Sequence, residues 1–210
     1  MVVKDIAYHR KTARQRRSEL IDAGIACLGR GGMSAFTIDQ ICRQAGVSRG
    51  LINHHFDSKE ELLVSIYAQM TEYLGRDHAA AAPRQQIASL IDSSFDAASF
   101  KKSKLRAWLA IWWQVATHVE LKSLHQQRYQ KYRLQLVDAL AVISTAEQLA
   151  IDADSVARQL IALIDGLWLA YCLHSDGFSL DDARADCYRF LQGIGIVIQS
   201  GQDLRDQMQP

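Results

Sequence analysis

Proline is scarce in this 210-residue chain, at 2 residues, and so are long hydrophobic runs. With so little proline, a collagen-like reading fails, and the composition excludes a repetitive low-complexity one as well. An apolar content of 49% against 22% charged residues leaves ample material for a core, which rules out global disorder. The apolar stretches 107–119, 160–175 and 190–198 each carry a Gln, an Asp or a His, or fall short of the ~18 residues of a membrane span. No membrane partner is therefore expected. The basic N-terminus leads into no apolar segment of the secretory kind, so the expected location is cytoplasmic. The four cysteines, at 27, 42, 172 and 187, form no C-x-x-C pair. Each reads as a small buried hydrophobe rather than a metal ligand. The histidines add no metal site, because His118 and His125 stand about two helical turns, or ~10 Å, apart. His54 and His55 are adjacent and diverge by about 100° on a helix. Neither a metal nor a cofactor is expected.

Net charge is nearly absent as well, at +1, but its distribution is uneven. Residues 1–60 hold ten Lys/Arg against six Asp/Glu, and residues 61–210 hold fourteen against seventeen. Most of the basic excess lies in Lys4, Arg10, Lys11, Arg14, Arg16 and Arg17, with Asp5 alone opposing it. This distribution suggests a polyanion partner for the first third of the chain, the alternative being a solvated tail.

Strand-type alternation bounded by turn residues is not evident, and the periodicity is helical almost throughout. A first helix is expected from about Thr12 to Leu28, stopping at the glycine-rich run Gly29-Arg30-Gly31-Gly32. That run follows a helix and lacks the G-K-[ST] of a phosphate loop. Thr37 then caps a short helix with Ile38, Ile41, Cys42 and Ala45 on one face. Gly46 supplies the tight turn, and Ser48 caps a second short helix from Arg49 to about Phe56. Its expected anchors are Val47, Leu51 and Phe56, with Arg49, Gly50 and Asn53 facing away. A third, long helix is expected from Lys59 to about Ala82, and later ones over 84–98, 102–117, 119–143, 152–175 and 179–199. Two short helices joined by an Ala-Gly-Val turn have the geometry of the helix-turn-helix, whose second helix enters the DNA major groove.

The runs Thr37-Ile-Asp-Gln-Ile-Cys-Arg-Gln-Ala-Gly-Val-Ser48, Gly50-Leu-Ile-Asn-His-His-Phe56 and Lys59-Glu-Glu-Leu-Leu63 resemble the DNA-binding domain of the TetR family of transcriptional regulators. Further along, Ala107-Trp-Leu-Ala-Ile-Trp112 and Ala162-Leu-Ile-Asp-Gly-Leu-Trp-Leu169 are similar to the BetI-type, choline-responsive repressors. The resemblance implies an all-α homodimer: a helix-turn-helix DNA-binding domain over 1–60, then a helical effector-binding and dimerisation domain over 61–210. It also implies release from a palindromic DNA operator when a small molecule enters the larger domain.

Within that frame Arg49 can donate two hydrogen bonds to guanine O6 and N7, and Gly50 lets the backbone approach the groove. Asn53 shares their face, and His54 and His55 sit where the family places side chains that reach bases and phosphates. Thr37 and Lys59, each at a helix start, suit phosphates, and Ser48 at the start of the second short helix joins the DNA-binding set. Capping is the structural role of Thr37 and Ser48.

All four tryptophans lie in the second domain. Trp108 and Trp112 share a helical face, and Trp168 has Tyr171 nearby. A tryptophan stripe is ordinarily core, but Asp165 is embedded among Leu160–Ala170, and a buried carboxylate needs a partner. Asp165 with Trp108, Trp112, Trp168 and Tyr171 forms a candidate site for a cationic effector such as choline. The alternatives are pairing with Arg106 or a helix end, a place in the dimer interface, or a lipophilic, non-cationic effector. The last helix carries Leu180, Ala183, Cys187, Leu191, Ile194 and Ile198 on one side, expected against a second copy, with Gly193 and Gly195 permitting close approach. Packing onto its own chain remains open for part of that side. An all-helical enzyme is the reading from another class, but no G-x-S-x-G, H-E-x-x-H or paired-carboxylate spacing is found. A protein-interaction adaptor without DNA function would lack the basic arm, which is present.

Overall fold

The computed structural model describes residues 12–72, 81–96, 101–174 and 177–198, and among these every regular element is helical. The elements are α1 (Ala13–Ala35), α2 (Ile38–Ala45), α3 (Arg49–His55), α4 (Lys59–Met70), α5 (Pro83–Ser94), α6 (Lys102–Thr117), α7 (Val119–Glu147), α8 (Ala153–Leu173) and α9 (Leu180–Gly193). Lys4, Arg10 and Lys11 of the basic segment lie outside the described residues.

The start of α1 is fixed by a capping box. The Thr12 hydroxyl accepts from the Gln15 N–H, and the Gln15 side chain accepts from the Thr12 N–H. The helix does not stop at Gly29. It runs on to Ala35, and the break falls inside it at Gly31 and Gly32, the latter at φ +61°. Gly29 stays helical because it serves packing rather than termination: a Cβ there would stand 2.3 Å from the backbone oxygen of Ser103, so α6 crosses α1 at this point. Arg17 and Arg16 are only partly available to a polyanion. Arg17 donates to the His55 carbonyl at 2.7 Å and to Ser65 Oγ at 2.9 Å, pairs with Glu61, and lies 4.1 Å over the Phe56 ring. It fastens α1 to α3 and α4. Arg16 pairs with Glu19 one turn on.

In α4, Ile66 packs against Gly24 of α1, while the next residue, Tyr67, faces the larger domain. The helix ends at Met70, well short of Ala82. Thr71 closes it by donating its hydroxyl to the Tyr67 carbonyl, and Arg128 of α7 donates to the Ala68 carbonyl and to Thr71 Oγ1. Proline opens α5 at its first turn, where its missing N–H leaves no bond unmade. One apolar core continues from α1 through α8 and α9.

The apolar side of α9 also departs from expectation. Ala183, Cys187 and Leu191 are buried within their own chain, and Leu180, Ile194 and Ile198 pack on the same core. Gly195 lies past the helix end at φ +87°, in a turn against Leu149, so it gives no helix-to-helix approach. By length and composition α8 is long and apolar enough to cross a membrane, with a mean hydropathy of 1.4, although one third of that window is buried inside the chain. Its outward stripe is Ala162, Gly166, Leu169 and Leu173, and a Cβ at Gly166 would meet nothing within 4 Å from outside its own helix among the described residues.

Candidate DNA-reading face and effector cavity

The helix-turn-helix is built by local signals. Thr37 accepts from the Gln40 N–H, and Gly46 ends α2 in the left-handed conformation at φ +65° and ψ +40°. Ser48 flanks α3 in extended conformation but makes no side-chain cap bond, so its expected capping role is not found. Helix α3 is anchored by Ile52 and Phe56, at 1% and 2% exposure, while Leu51 is only half-buried and Val47 partly so. Ile52 rather than Leu51 lies directly inward because 52 and 56 are one helical turn apart on the same face, whereas 51 is turned about 100° from 52. The opposite face carries Arg49, Gly50, Asn53 and His54, all exposed. A Cβ on Gly50 would meet only Ser48 Oγ at 3.9 Å, so the fold itself does not require glycine there.

Two of these side chains are already engaged. Arg49 donates Nε–H to Asp39 Oδ1 at 2.6 Å and Nη2–H to Asp39 Oδ2 at 2.5 Å. His54 and His55 are in edge contact at 5.1 Å between centroids. His55 is half-buried, and its pKa is lowered by burial and by the neighbouring His54, Arg17 and Arg16. Lys59 stands exposed at the first position of α4, beside Ser58, which caps that helix through the Glu61 N–H.

In the larger domain, three helices turn one stripe each toward a common cavity of about 330 Å3. From α6 come Trp108, Trp112 and Val115, and from α7 come His125, Tyr129 and Tyr132, both sets at i, i+4, i+7. Ile161, Ile164, Asp165 and Trp168 of α8 follow the same helical period, with Tyr67 of α4 and Ser94 of α5 completing the wall. The rings support one another at right angles: Trp108 packs edge-on to Tyr67 at 5.8 Å and to Trp168 at 6.0 Å. Polar ends are satisfied inside the wall. Trp168 Nε1–H donates to the Ser94 carbonyl at 2.9 Å, and the Tyr67 hydroxyl and His125 Nδ1 are 2.7 Å apart.

Asp165 is the carboxylate of the cavity wall, and among the described residues no Lys or Arg lines it. The hydroxyl of Tyr129 donates to Asp165 Oδ2 at 3.0 Å. Burial raises the Asp165 pKa, and the Tyr129 hydrogen bond opposes that shift. Burial also lowers the His125 pKa, which keeps the imidazole neutral and adds no positive charge. Pairing with Arg106 is not found, since Arg106 is exposed and Asp165 bonds to Tyr129. Tyr171 does not reach the cavity. It lies beyond the wall near the end of α8, where Phe178 folds back and packs edge-on to it at 5.0 Å. The sequence reading missed Tyr67, His125, Tyr129 and Tyr132. Three of these share one stripe of α7, a spacing that was visible in the sequence.

Comparison with known proteins agrees with both halves. Residues 20–66 match the tetR family of bacterial regulatory proteins, and residues 83–195 match the C-terminal domain of the BetI-type transcriptional repressors. The HTH-type transcriptional regulator BetI of Pseudomonas aeruginosa is 34% identical over 184 residues, covering 84% of this chain and 91% of that protein. BetI of Rhizobium meliloti is 33% identical over 175 residues, covering 81% of this chain and 84% of its own. Among solved structures, a protein from P. aeruginosa PAO1 assigned as a transcriptional regulator superposes with a TM-score of 0.76 at 33% identity, over 91% of this chain and 95% of that one. A regulator from Saccharomonospora viridis, solved in complex with choline, shares the fold at a TM-score of 0.72 and 20% identity, over 85% of this chain and 96% of that one. The helix-turn-helix, the aromatic cavity and these matches together place the chain in the TetR family of transcriptional regulators, as a repressor of the BetI type.

Proposed function

We propose that this repressor binds a palindromic operator as a homodimer and is released by a small quaternary ammonium cation, choline or a close analogue. One observation carries the effector reading: a half-buried carboxylate, Asp165, in a wall of tryptophan and tyrosine that, among the described residues, offers no second carboxylate and no Lys or Arg. A quaternary ammonium donates no hydrogen bond. It is therefore best held by aromatic faces, at ~0.5–2 kcal/mol each, with a carboxylate nearby. The cavity volume lies at the small end of the ~300–1,000 Å3 usual for ligand pockets, which favours a small cation over a bulky lipophile. The choline complex of the S. viridis protein is in line with this reading. Titration of tryptophan fluorescence with choline and with 3,3-dimethylbutanol, its neutral isostere, tests it. Saturable quenching by choline alone is expected, and equal response to both would overturn the cationic reading.

On the DNA side, residues 1–60 form the reading domain and 61–210 the effector and dimer domain, with α4 reaching into both. Arg49, Gly50, Asn53 and His54 present the base-reading face, and Thr37, Ser48, His55 and Lys59 take phosphates. The outward stripe of α8, Ala162, Gly166, Leu169 and Leu173, supports a dimer face in which small residues let a second copy approach closely. The protein would work in the cytoplasm, binding and releasing its effector without turnover. Selection of duplexes from a random pool at low salt checks the operator reading. Lys59→Ala should lower the salt slope by ~1 for every sequence, and Arg49→Ala should relax one base position by ~1–3 kcal/mol.

A further inference from the structure

Asp39, in the first turn of α2, is absent from every candidate site above, yet it holds the guanidinium of Arg49 through two hydrogen bonds of 2.6 and 2.5 Å. Both side chains are largely solvent-exposed, at 54% and 68%, and a pair so exposed adds little to stability. Its geometry is more informative. The carboxylate occupies the side edge of the guanidinium, formed by Nε and one hydrogen of Nη2. The end edge, formed by Nη1 and the second hydrogen of Nη2, stays open, and two parallel donors on one edge are what guanine O6 and N7 accept. A long side chain held in one orientation before binding loses less freedom on binding. A carboxylate beside the groove also repels phosphates, which weakens binding to DNA that offers no guanine in return.

We propose that Asp39 is a specificity-determining positioning residue: it presents Arg49 end-on to one guanine of the operator and lowers affinity for all other DNA. This rests on the reading that α3 enters the major groove. Asp39 in a first turn also suits the helix dipole, but losing that role would change stability and not base preference.

The test is selection of duplexes from a random pool with the full chain and the variants Asp39→Ala, Asp39→Asn, Arg49→Ala and the double variant Asp39→Ala/Arg49→Ala, each checked for folding by circular dichroism. Arg49→Ala should lower the preference for guanine at one position by ~10–100-fold. Asp39→Ala and Asp39→Asn should lower it at that same position by several-fold, while binding to non-specific duplex rises. The double variant should match Arg49→Ala alone in base preference, while its binding to non-specific duplex rises as in Asp39→Ala. The proposal is overturned if either Asp39 variant leaves the preference intact, relaxes a different base pair, or tightens binding to all sequences with base preference unchanged, which would make Asp39 a mask on Arg49. If Arg49→Ala itself changes no base preference, the major-groove role of Arg49 fails as well, and that result is distinguishable from failure at Asp39 alone.

Discussion

Asp165 concentrates the chemistry of the proposed effector cavity in one group, because among the described residues it is the only carboxylate lining it and its hydrogen-bond donor is a neutral phenol. Asp165→Asn removes the charge at nearly constant shape. Choline affinity should fall by at least tenfold in calorimetric titration, with binding of 3,3-dimethylbutanol changed far less. The pH dependence follows from the two shifts. Burial raises the Asp165 pKa above 3.8, so as pH falls the carboxylate is neutralised earlier than an exposed one. Burial lowers that of His125 below 6.5, so as pH falls the imidazole charges later than an exposed one. Both protonations oppose a cation, and choline affinity is expected to decline from pH 7.5 to pH 5. Stability runs the other way for Asp165. A raised folded pKa contributes stability that is fully present below 3.8 and lost as pH rises through the folded value. His125, with its lowered folded pKa, contributes stability above 6.5 that is lost as pH falls through its folded value. Bound cation offsets the Asp165 loss, so the rise in Tm with saturating choline should be larger at pH 7.5 than at pH 5. An equal rise at both would show that the carboxylate does not hold the cation.

At the scale of elements, two glycines in α1 look alike in sequence and differ in the structure. A Cβ at Gly29 would meet the Ser103 backbone oxygen at 2.3 Å, and that backbone, at the start of α6, has no rotamer to change. At Gly24 the obstacle is the terminal methyl of Ile66 at 2.4 Å, which can rotate away. Gly29→Ala is expected to destabilise by ~1–3 kcal/mol through overpacking. Gly24→Ala should be milder, since relief of helical glycine returns ~0.5–1 kcal/mol. Thermal denaturation of the two variants checks the order, and a larger loss at Gly24 would contradict it. Arg17 is the comparable fastener between α1 and the recognition helix. Arg17→Met keeps the stem but loses the bond to the His55 carbonyl and the contact over Phe56. Thermal denaturation should show a loss of ~1–2 kcal/mol, larger than for Arg16→Met, whose side chain makes a single i,i+3 bridge.

The whole molecule explains why α8 is so apolar. One side of it packs inward with Ile161, Ile164 and Trp168, while Ala162, Gly166, Leu169 and Leu173 face outward, so most of its turns carry apolar residues on two sides. With the dimer face proposed above, one helix would meet both its own core and a second copy, which requires apolar residues on two sides and gives it a composition like that of a membrane span. Leu169→Asp puts a charge in the outward stripe and spares the cavity. Sedimentation should show monomer at concentrations where the parent chain is dimeric, and binding to the palindrome should drop by far more than binding to a half-site. A dimer that persists would move the interface elsewhere.

Local signals in the sequence determined much of this protein. Thr37, Gly46 and the short spacing between Ile41 and Ile52 specify the helix-turn-helix, because caps and left-handed turns act within a few residues. The tryptophans with Asp165 marked the cavity for the same reason: helical period puts Trp108 and Trp112 on one face, and a carboxylate inside an apolar run demands a partner. Other features depended on what each face meets in three dimensions. Tyr129 and Tyr132 were legible as a stripe, but their turning toward Asp165 depends on how α7 packs on α8. Gly29 is a helix stop by local rules and a close contact only because α6 crosses there. Tyr171 fell outside the cavity because Phe178 returns over the end of α8. The apolar side of α9 turned inward because α5 and α8 cover it. Periodicity defines which residues share a face, and only the packing of helices distant in sequence decides whether that face meets core, cavity or a second copy.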